Sequence, residues 1–243
     1  MKTGCNKKFQ AGNAALRVTR GLLAGFAMLA ICGLASAQER RDKQAKKEEF
    51  NFNLMAPPVT PAAITAPMGN RLFLAGHAIG SQGYVCLPLG SGVSWTVNNP
   101  RPEATLLANV FGEPAQIITH SFSHNDSPLE NVVPPFGNAT WQSSSDGSKV
   151  WAAPSVQTTI SAGSDPSCLN SGSIPCFLLK AVGAQDGPTG GKILSRTTFI
   201  QRLKTSGGAA PSNPSTGCLA AGDVGHQILV PYQADYFFYR ANE

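Results

Sequence analysis

The sequence predicts a mainly β protein, an antiparallel β-sandwich or barrel of about ten strands with at most one short helix. Three observations carry this expectation. Short runs rich in β-branched and aromatic residues recur between turn residues. Glycine and proline, 25 and 18 among 243 residues, are spread evenly with serine, threonine and asparagine, so few stretches hold a helical period. The regular alternation of strands with long helices that marks a nucleotide-binding α/β sheet is absent from the sequence.

The first 37 residues stand outside that fold. Lys2, Lys7, Lys8, Arg17 and Arg20 form a basic stretch without an acidic residue, and the apolar run GLLAGFAMLAICGL (21–34) follows. ASA then precedes Gln38, which is the pattern of a secretory signal peptide cleaved between Ala37 and Gln38. The apolar run falls short of the about 20 residues that a membrane-spanning helix needs, and QERRDK ends it. Ile31 before Cys32 is too bulky for a lipidated leader. The expected location is secreted or periplasmic.

Removing this leader changes the electrostatics. Five of the 19 basic side chains leave with it, so 14 remain against 14 acidic ones. The formal charge of +5 therefore belongs to the leader and not to a nucleic-acid-binding surface. Residues 38–60 follow as a tether: ERRDKQAKKEE (39–49) mixes both signs without an apolar face, and prolines come after it. Residues 61–243 suit a single β domain by length.

Within that domain the candidate strands are 71–79, 83–87, 93–97, 115–123, 138–143, 149–153, 156–161, 174–182, 193–204, 226–230 and 232–240. Only PEATLLANVF (102–111) reads as a short helix, with Pro102 in its first turn and Gly112 beyond its end. In ATWQSSSDGSKVWAA (139–153), Asp146 and Gly147 have the chemistry of a two-residue type I′ turn. That register sets Ser145 opposite Ser148, Gln142 opposite Trp151 and Trp141 opposite Ala152. Trp141 and Trp151 then take opposite faces of the sheet, one in the core and the other part-exposed.

The residues that could carry chemistry have plain structural readings beside the sharper ones. Cys86, Cys168, Cys176 and Cys218 remain after the leader, enough for two disulfides in three connectivities. No two have C-x-x-C spacing and no histidine lies near a pair, so a zinc site is not expected. His120 and His124 are four apart, but on a strand they would lie about 13 Å from each other. One metal ion would need a turn that folds His124 back toward Asp126. His77 and His226 sit between apolar neighbours and read as hydrogen-bonded sheet histidines.

No serine occupies a G-x-S-x-G elbow. Asp146, Asp186 and Asp223 stand where aspartate makes turns and caps. The glycine-rich stretches 184–191 and 205–217 precede no helix, so neither a phosphate cradle nor a cofactor is indicated. LGSGVSW (89–95) is not a dinucleotide fingerprint for the same reason. Asn138 opens an N-glycosylation sequon. Trp95, Trp141 and Trp151 offer flat apolar faces with a polar edge, as sugar-binding sites do, although a β core needs large aromatics in any case.

Several motifs taken in order resemble one family: LFLAGHAIGSQGYVCLP, NATWQSSSDGSKVWAA, IPCFLLKAVGAQDGPTGG, TTFIQRLKTSGGAAPS and VPYQADYFFY. They are similar to the domain of unknown function 3455 family of secreted bacterial and fungal proteins, over residues 55–240. The resemblance implies a one-domain exported protein and supplies no catalytic residues. Where such proteins read as IPW followed by leucines, this chain reads IPCFLL, so Cys176 replaces a tryptophan, and Cys168 is likewise unusual. Cys86 and Cys218 fit the family. The resemblance therefore implies Cys86–Cys218 and Cys168–Cys176. By chain entropy the long-range bridge contributes on the order of 4–5 kcal/mol and the local one nearer 2–3.

Asp235 is the carboxylate without a turn to explain it. It lies in VPYQADYFFYRANE (230–243), the most aromatic stretch of the chain. Alternation puts Tyr232, Ala234, Tyr236, Phe238 and Arg240 on one face and Gln233, Asp235, Phe237 and Tyr239 on the other. With aromatics on both faces the strand should be covered, so Asp235 must be at least half buried and bonded, with Arg202 as the nearest expected partner and tyrosine hydroxyls or backbone N–H groups as the alternatives. The favoured function is binding of a glycan-like extracellular or envelope ligand without catalysis, drawing on Trp95, Trp141, Trp151, Arg202 and Asp235. The alternatives are a cofactor-free hydrolase or isomerase using Asp235 with Arg202 or a histidine, and a structural envelope protein.

Overall fold

The structure is a computed structural model and describes residues 57–98, 103–123, 138–212 and 217–242, all within the compact unit Phe50–Glu243. The leader, its cleavage point at Ala37 and Gln38, most of the tether, His124, Asp126 and Glu130 lie outside the described residues.

Nine strands make one antiparallel sheet: β1 (Asn70–Leu89), β2 (Gly92–Val97), β3 (Glu103–Val110), β4 (Glu113–Ser123), β5 (Asn138–Ser143), β6 (Lys149–Ile160), β7 (Cys176–Gln185), β8 (Phe199–Gly207) and β9 (Gln227–Ala241). Each strand from β3 to β9 pairs with the next, and β9 returns to pair with β1 along nearly its whole length. The sheet thus closes into a barrel of eight strands, with β2 folded back on the end of β1. Closure removes the exposed edges that an open sheet would present. Among the described residues no helix is long and apolar enough to cross a membrane.

Three long strands each absorb two of the shorter runs expected from the sequence: β1, β6 and β9. β9 runs through Pro231, which lies between the candidate strands 226–230 and 232–240. There β9 pairs with Ser81 of β1, one position beyond Gly207↔Tyr232, the last pair with β8. A proline is tolerated where a strand has one neighbour. Ile193–Thr198 is not strand; β8 begins at Phe199.

The helix expected over 102–111 is instead β3. Ala104 and Leu106 are buried with period two, and the segment pairs with both β1 and β4. A helix would have left the His77–Ser81 stretch of β1 unpaired on that side, and sheet closure overrides the local helical propensity. Gly80 shows how close this pairing is: a Cβ there would run into the Glu103 carbonyl oxygen and Ala104.

Side-chain alternation splits the core in two. Ala78, Leu106, Ile118, Trp141, Val150, Leu179, Ile200, Tyr236 and Phe238 point inward, with every strand of the ring contributing to this cluster. On the outer surface Ala75, Leu178, Leu203, Phe237 and Tyr239 are covered by Ile64, from the 3₁₀ turn Ala62–Ile64, and by the Cys168–Cys176 loop. This second layer accounts for the aromatics on both faces of β9. Disulfides join Cys86 to Cys218, tying β1 to the segment before β9, and Cys168 to Cys176.

The hairpin of β5 and β6 differs in register from the two-residue turn expected. Trp141 faces Val150 and Thr140 faces Trp151, so four residues, Ser144 to Gly147, form the loop. Asp146 explains the change: its Oδ1 accepts from the Ser148 backbone N–H and hydroxyl, and its Oδ2 accepts from the Ile193 N–H. A shift of two residues conserves side-chain parity, so the tryptophans do take opposite faces. Neither is part-exposed, however. Trp151 is 1% exposed, its Nε1–H donating to Ser123 Oγ at 2.7 Å.

Candidate functional site

At one end of the barrel the inner faces of the strands diverge around a cavity of about 330 Å³. Its wall comes from the C-terminal halves of β1 and β4, from β5, from both halves of β6, from the start of β7 and from the middle of β8. Phe122, Ala139, Ala152, Ile174, Phe177 and Leu179 make most of the surface, while Gln82, Tyr84, His120, Trp141, Thr159 and Arg202 bring polar atoms to it. The cavity lining runs from Val97, which is 49% exposed, to fully buried Trp141.

Strand alternation places these groups. On β4, Ile118, His120 and Phe122 share the inward face, and on β8 Ile200 and Arg202 do. On β1 the inward set is Gly76, Ala78, Gly80, Gln82 and Tyr84, so small side chains give way to polar ones toward the cavity. The inner tyrosines of β9 lie deeper, with the Tyr232 and Tyr236 hydroxyls 3.2 Å apart.

His120 stacks on Trp141, with ring centroids 4.2 Å apart and planes 7° from parallel. Its Nδ1 lies 2.9 Å from the Thr140 carbonyl oxygen. An imidazole nitrogen facing a carbonyl must be the protonated one, so Nε2 carries the lone pair. Burial lowers the His120 pKa to about 4, with the nearby positive charge of Arg202 acting in the same direction against the Thr140 bond. The ring is therefore neutral at pH 7. Trp141 Nε1 is buried without a hydrogen-bond partner, an uncommitted donor of the kind native interiors seldom leave.

Arg202 is 7% exposed. Its Nε and Nη2 both donate to the Pro175 carbonyl oxygen, at 3.2 and 2.8 Å. Its guanidinium carbon lies 3.7 Å from the centroid of the Phe177 ring, close enough for a cation–π contact. The Tyr84 hydroxyl donates to the Gly208 carbonyl oxygen at 2.6 Å, and burial pushes its pKa upward. Burial also raises the Tyr232 pKa well above its ordinary value, with neighbouring Tyr236 adding to it.

Of the residues singled out in the sequence, the cavity gathers Trp141 and Arg202. Asp235 is buried as expected, at 3% exposed, but its partners differ. Asp235 sits opposite Leu203, whereas Arg202 sits opposite Tyr236, and adjacent strand positions point to opposite faces. The expected Asp235–Arg202 pair is thus precluded by the register. Asp235 Oδ1 lies 2.9 Å from His77 Nδ1, directly across β1, and Oδ2 lies 3.4 Å from Lys204 Nζ. It anchors the last strand on the outer face of the barrel.

Trp151 is also on the outer face, and half-buried Trp95 lies on β2 without lining the cavity. Asn138, the sequon residue, is buried. Asp223 caps its own loop by accepting from the Leu219 and Ala220 N–H groups, and Asp186 accepts from the Ser195 hydroxyl. The histidine in the cavity is His120, for which the sequence offers no specific role beyond the metal spacing with His124. Its spacing from Ile118 and Phe122 on one strand face was the signal that it points into the core.

Neither curated proteins nor solved structures gave a match for this chain. The family described as "Protein of unknown function (DUF3455)" matches residues 67–240, a span holding nearly all of the barrel and every cavity residue named above. On that match, and in agreement with the motifs that resemble it, the chain belongs to the DUF3455 family.

Proposed function

We propose that this is an exported binding protein, without catalytic activity, that takes a small and largely apolar ligand into the end of its barrel. The observation that carries this is a wall of apolar side chains interrupted by polar groups with hydrogen-bonding capacity to spare: the Trp141 Nε1–H, the His120 Nε2 and the Arg202 guanidinium. An apolar cleft with a few convergent polar groups is the usual form of a ligand site, and closed eight-stranded barrels have room for one small ligand. At about 330 Å³ the cavity is roughly twice the about 150 Å³ that accepts benzene.

Export is supported by the leader pattern and by two disulfides, which persist in oxidising compartments. An envelope glycan, the ligand class expected from the aromatic content, suits this wall less well. Its hydroxyls would face mainly carbon and lose their hydrogen bonds to water. Trp95 and Trp151 also do not join Trp141 in a surface platform. The test is native mass spectrometry and Trp fluorescence of the protein, purified from expression of the full chain under oxidising conditions, against small neutral and acidic aromatics and against oligosaccharides. Binding of the aromatics with a change in Trp emission supports the proposal. Binding of oligosaccharides alone, or of none of these, overturns it.

A further inference from the structure

Arg202 is the part of the cavity that its apolar wall leaves unexplained. Two of the five guanidinium N–H donors are spent on a single carbonyl oxygen, that of Pro175. Among the described residues no carboxylate pairs with it, and no acidic side chain lines the cavity. Asp235, on the next strand, is on the far side of the sheet. Burial keeps the Tyr84 and Tyr232 hydroxyls near it protonated at neutral pH. A buried cation is ordinarily paired, because leaving it alone forgoes the attraction that offsets its desolvation.

We infer that the cavity is a carboxylate site, its ligand a small monocarboxylic acid seated on the Arg202 guanidinium with a flat apolar body against Phe122, Ala139, Ala152 and Leu179. This rests on the binding function proposed above and narrows it to a substrate class. The planar fork of arginine matches a carboxylate with two parallel hydrogen bonds, and three of its donors remain for that purpose. The charge count selects a monoanion: among the described residues Arg202 is the single cation lining the cavity, since His120 is neutral. A dianionic phosphate would carry a second charge against an apolar wall. Trp141 Nε1–H is a further donor on the same surface.

The experiment uses trans-cinnamate and its isostere cinnamamide as probes, titrated by calorimetry into the full-chain protein and its Arg202→Gln and Arg202→Lys variants. Cinnamate is expected to bind about 10- to 100-fold more tightly than the amide, the span expected for a charge-assisted hydrogen bond. Arg202→Gln is expected to remove that preference, bringing acid and amide to equal affinity, and Arg202→Lys to retain part of it. The wild-type comparison needs no variant to fold. Equal affinity for acid and amide would overturn the carboxylate assignment and leave the cavity's binding function standing. Failure of both probes and of every neutral aromatic would overturn both.

Discussion

Acid should weaken this barrel through one imidazole. His120 is buried and neutral in the folded protein, with its pKa lowered from the ordinary 6.5 to about 4; in the unfolded chain it regains the ordinary value. Between these limits the unfolded state holds a proton that the folded state does not, so stability falls as the pH drops through that window and levels off below it. The difference is about 2.5 pH units at 1.36 kcal/mol each, or about 3 kcal/mol. Burial is the main cause, the Arg202 charge adds to it, and the Thr140 hydrogen bond opposes both. The assay is urea unfolding followed by circular dichroism at pH 7, 5.5 and 4, on the wild type and on His120→Gln, which cannot titrate. Every other group contributes equally to both proteins, so the difference between them isolates His120. The wild type is expected to lose about 3 kcal/mol more than the variant over that range. Parallel losses in the two proteins would refute a buried neutral imidazole and, with it, the electrostatics of the cavity.

Asp235→Ala is expected to cost about 3 kcal/mol, the low end for breaking a buried pair, because Lys204 is half exposed and its share is screened. Its affinity for cinnamate should be unchanged; loss of binding without loss of stability would return Asp235 to the ligand site. Replacing Cys86 and Cys218 by serine, across a separation of 132 residues, is expected to cost up to about 5 kcal/mol, against about 2.5 for Cys168 and Cys176. Urea midpoints check that order, and the reverse order would contradict it. Trp141→Phe should leave stability within about 1 kcal/mol, since lost packing is offset by removing an unpaired buried N–H. A loss of several kcal/mol would show that this N–H is satisfied.

The β class was legible because period two survives in most of the chain, whereas the choice between a sandwich and a closed barrel was not. The two faces of β9 could be read from YQADYFFYR alone, and both proved to be covered. What escaped was whatever depended on partners distant in sequence. PEATLLANVF has the composition of a helix and became β3 because β1 and β4 both needed a neighbour. The Asp146 turn widened because its carboxylate found an N–H at Ile193, 47 residues away. Asp235 was correctly read as buried, yet its partner turned on a single step of register between β8 and β9. The cavity could not be anticipated at all. Its residues come from six strands of the ring, from β2 and from the segment before β7, and their meeting depends on closure of the barrel.

The most direct test of the central claim is a crystal structure of the protein grown with saturating trans-cinnamate. The account predicts density for the probe inside the barrel end, its carboxylate within about 3 Å of the Arg202 nitrogens and its ring against Phe122 and Leu179. Density for the probe only on the outer surface of the barrel, or a cavity filled by side chains under the same conditions, would contradict it.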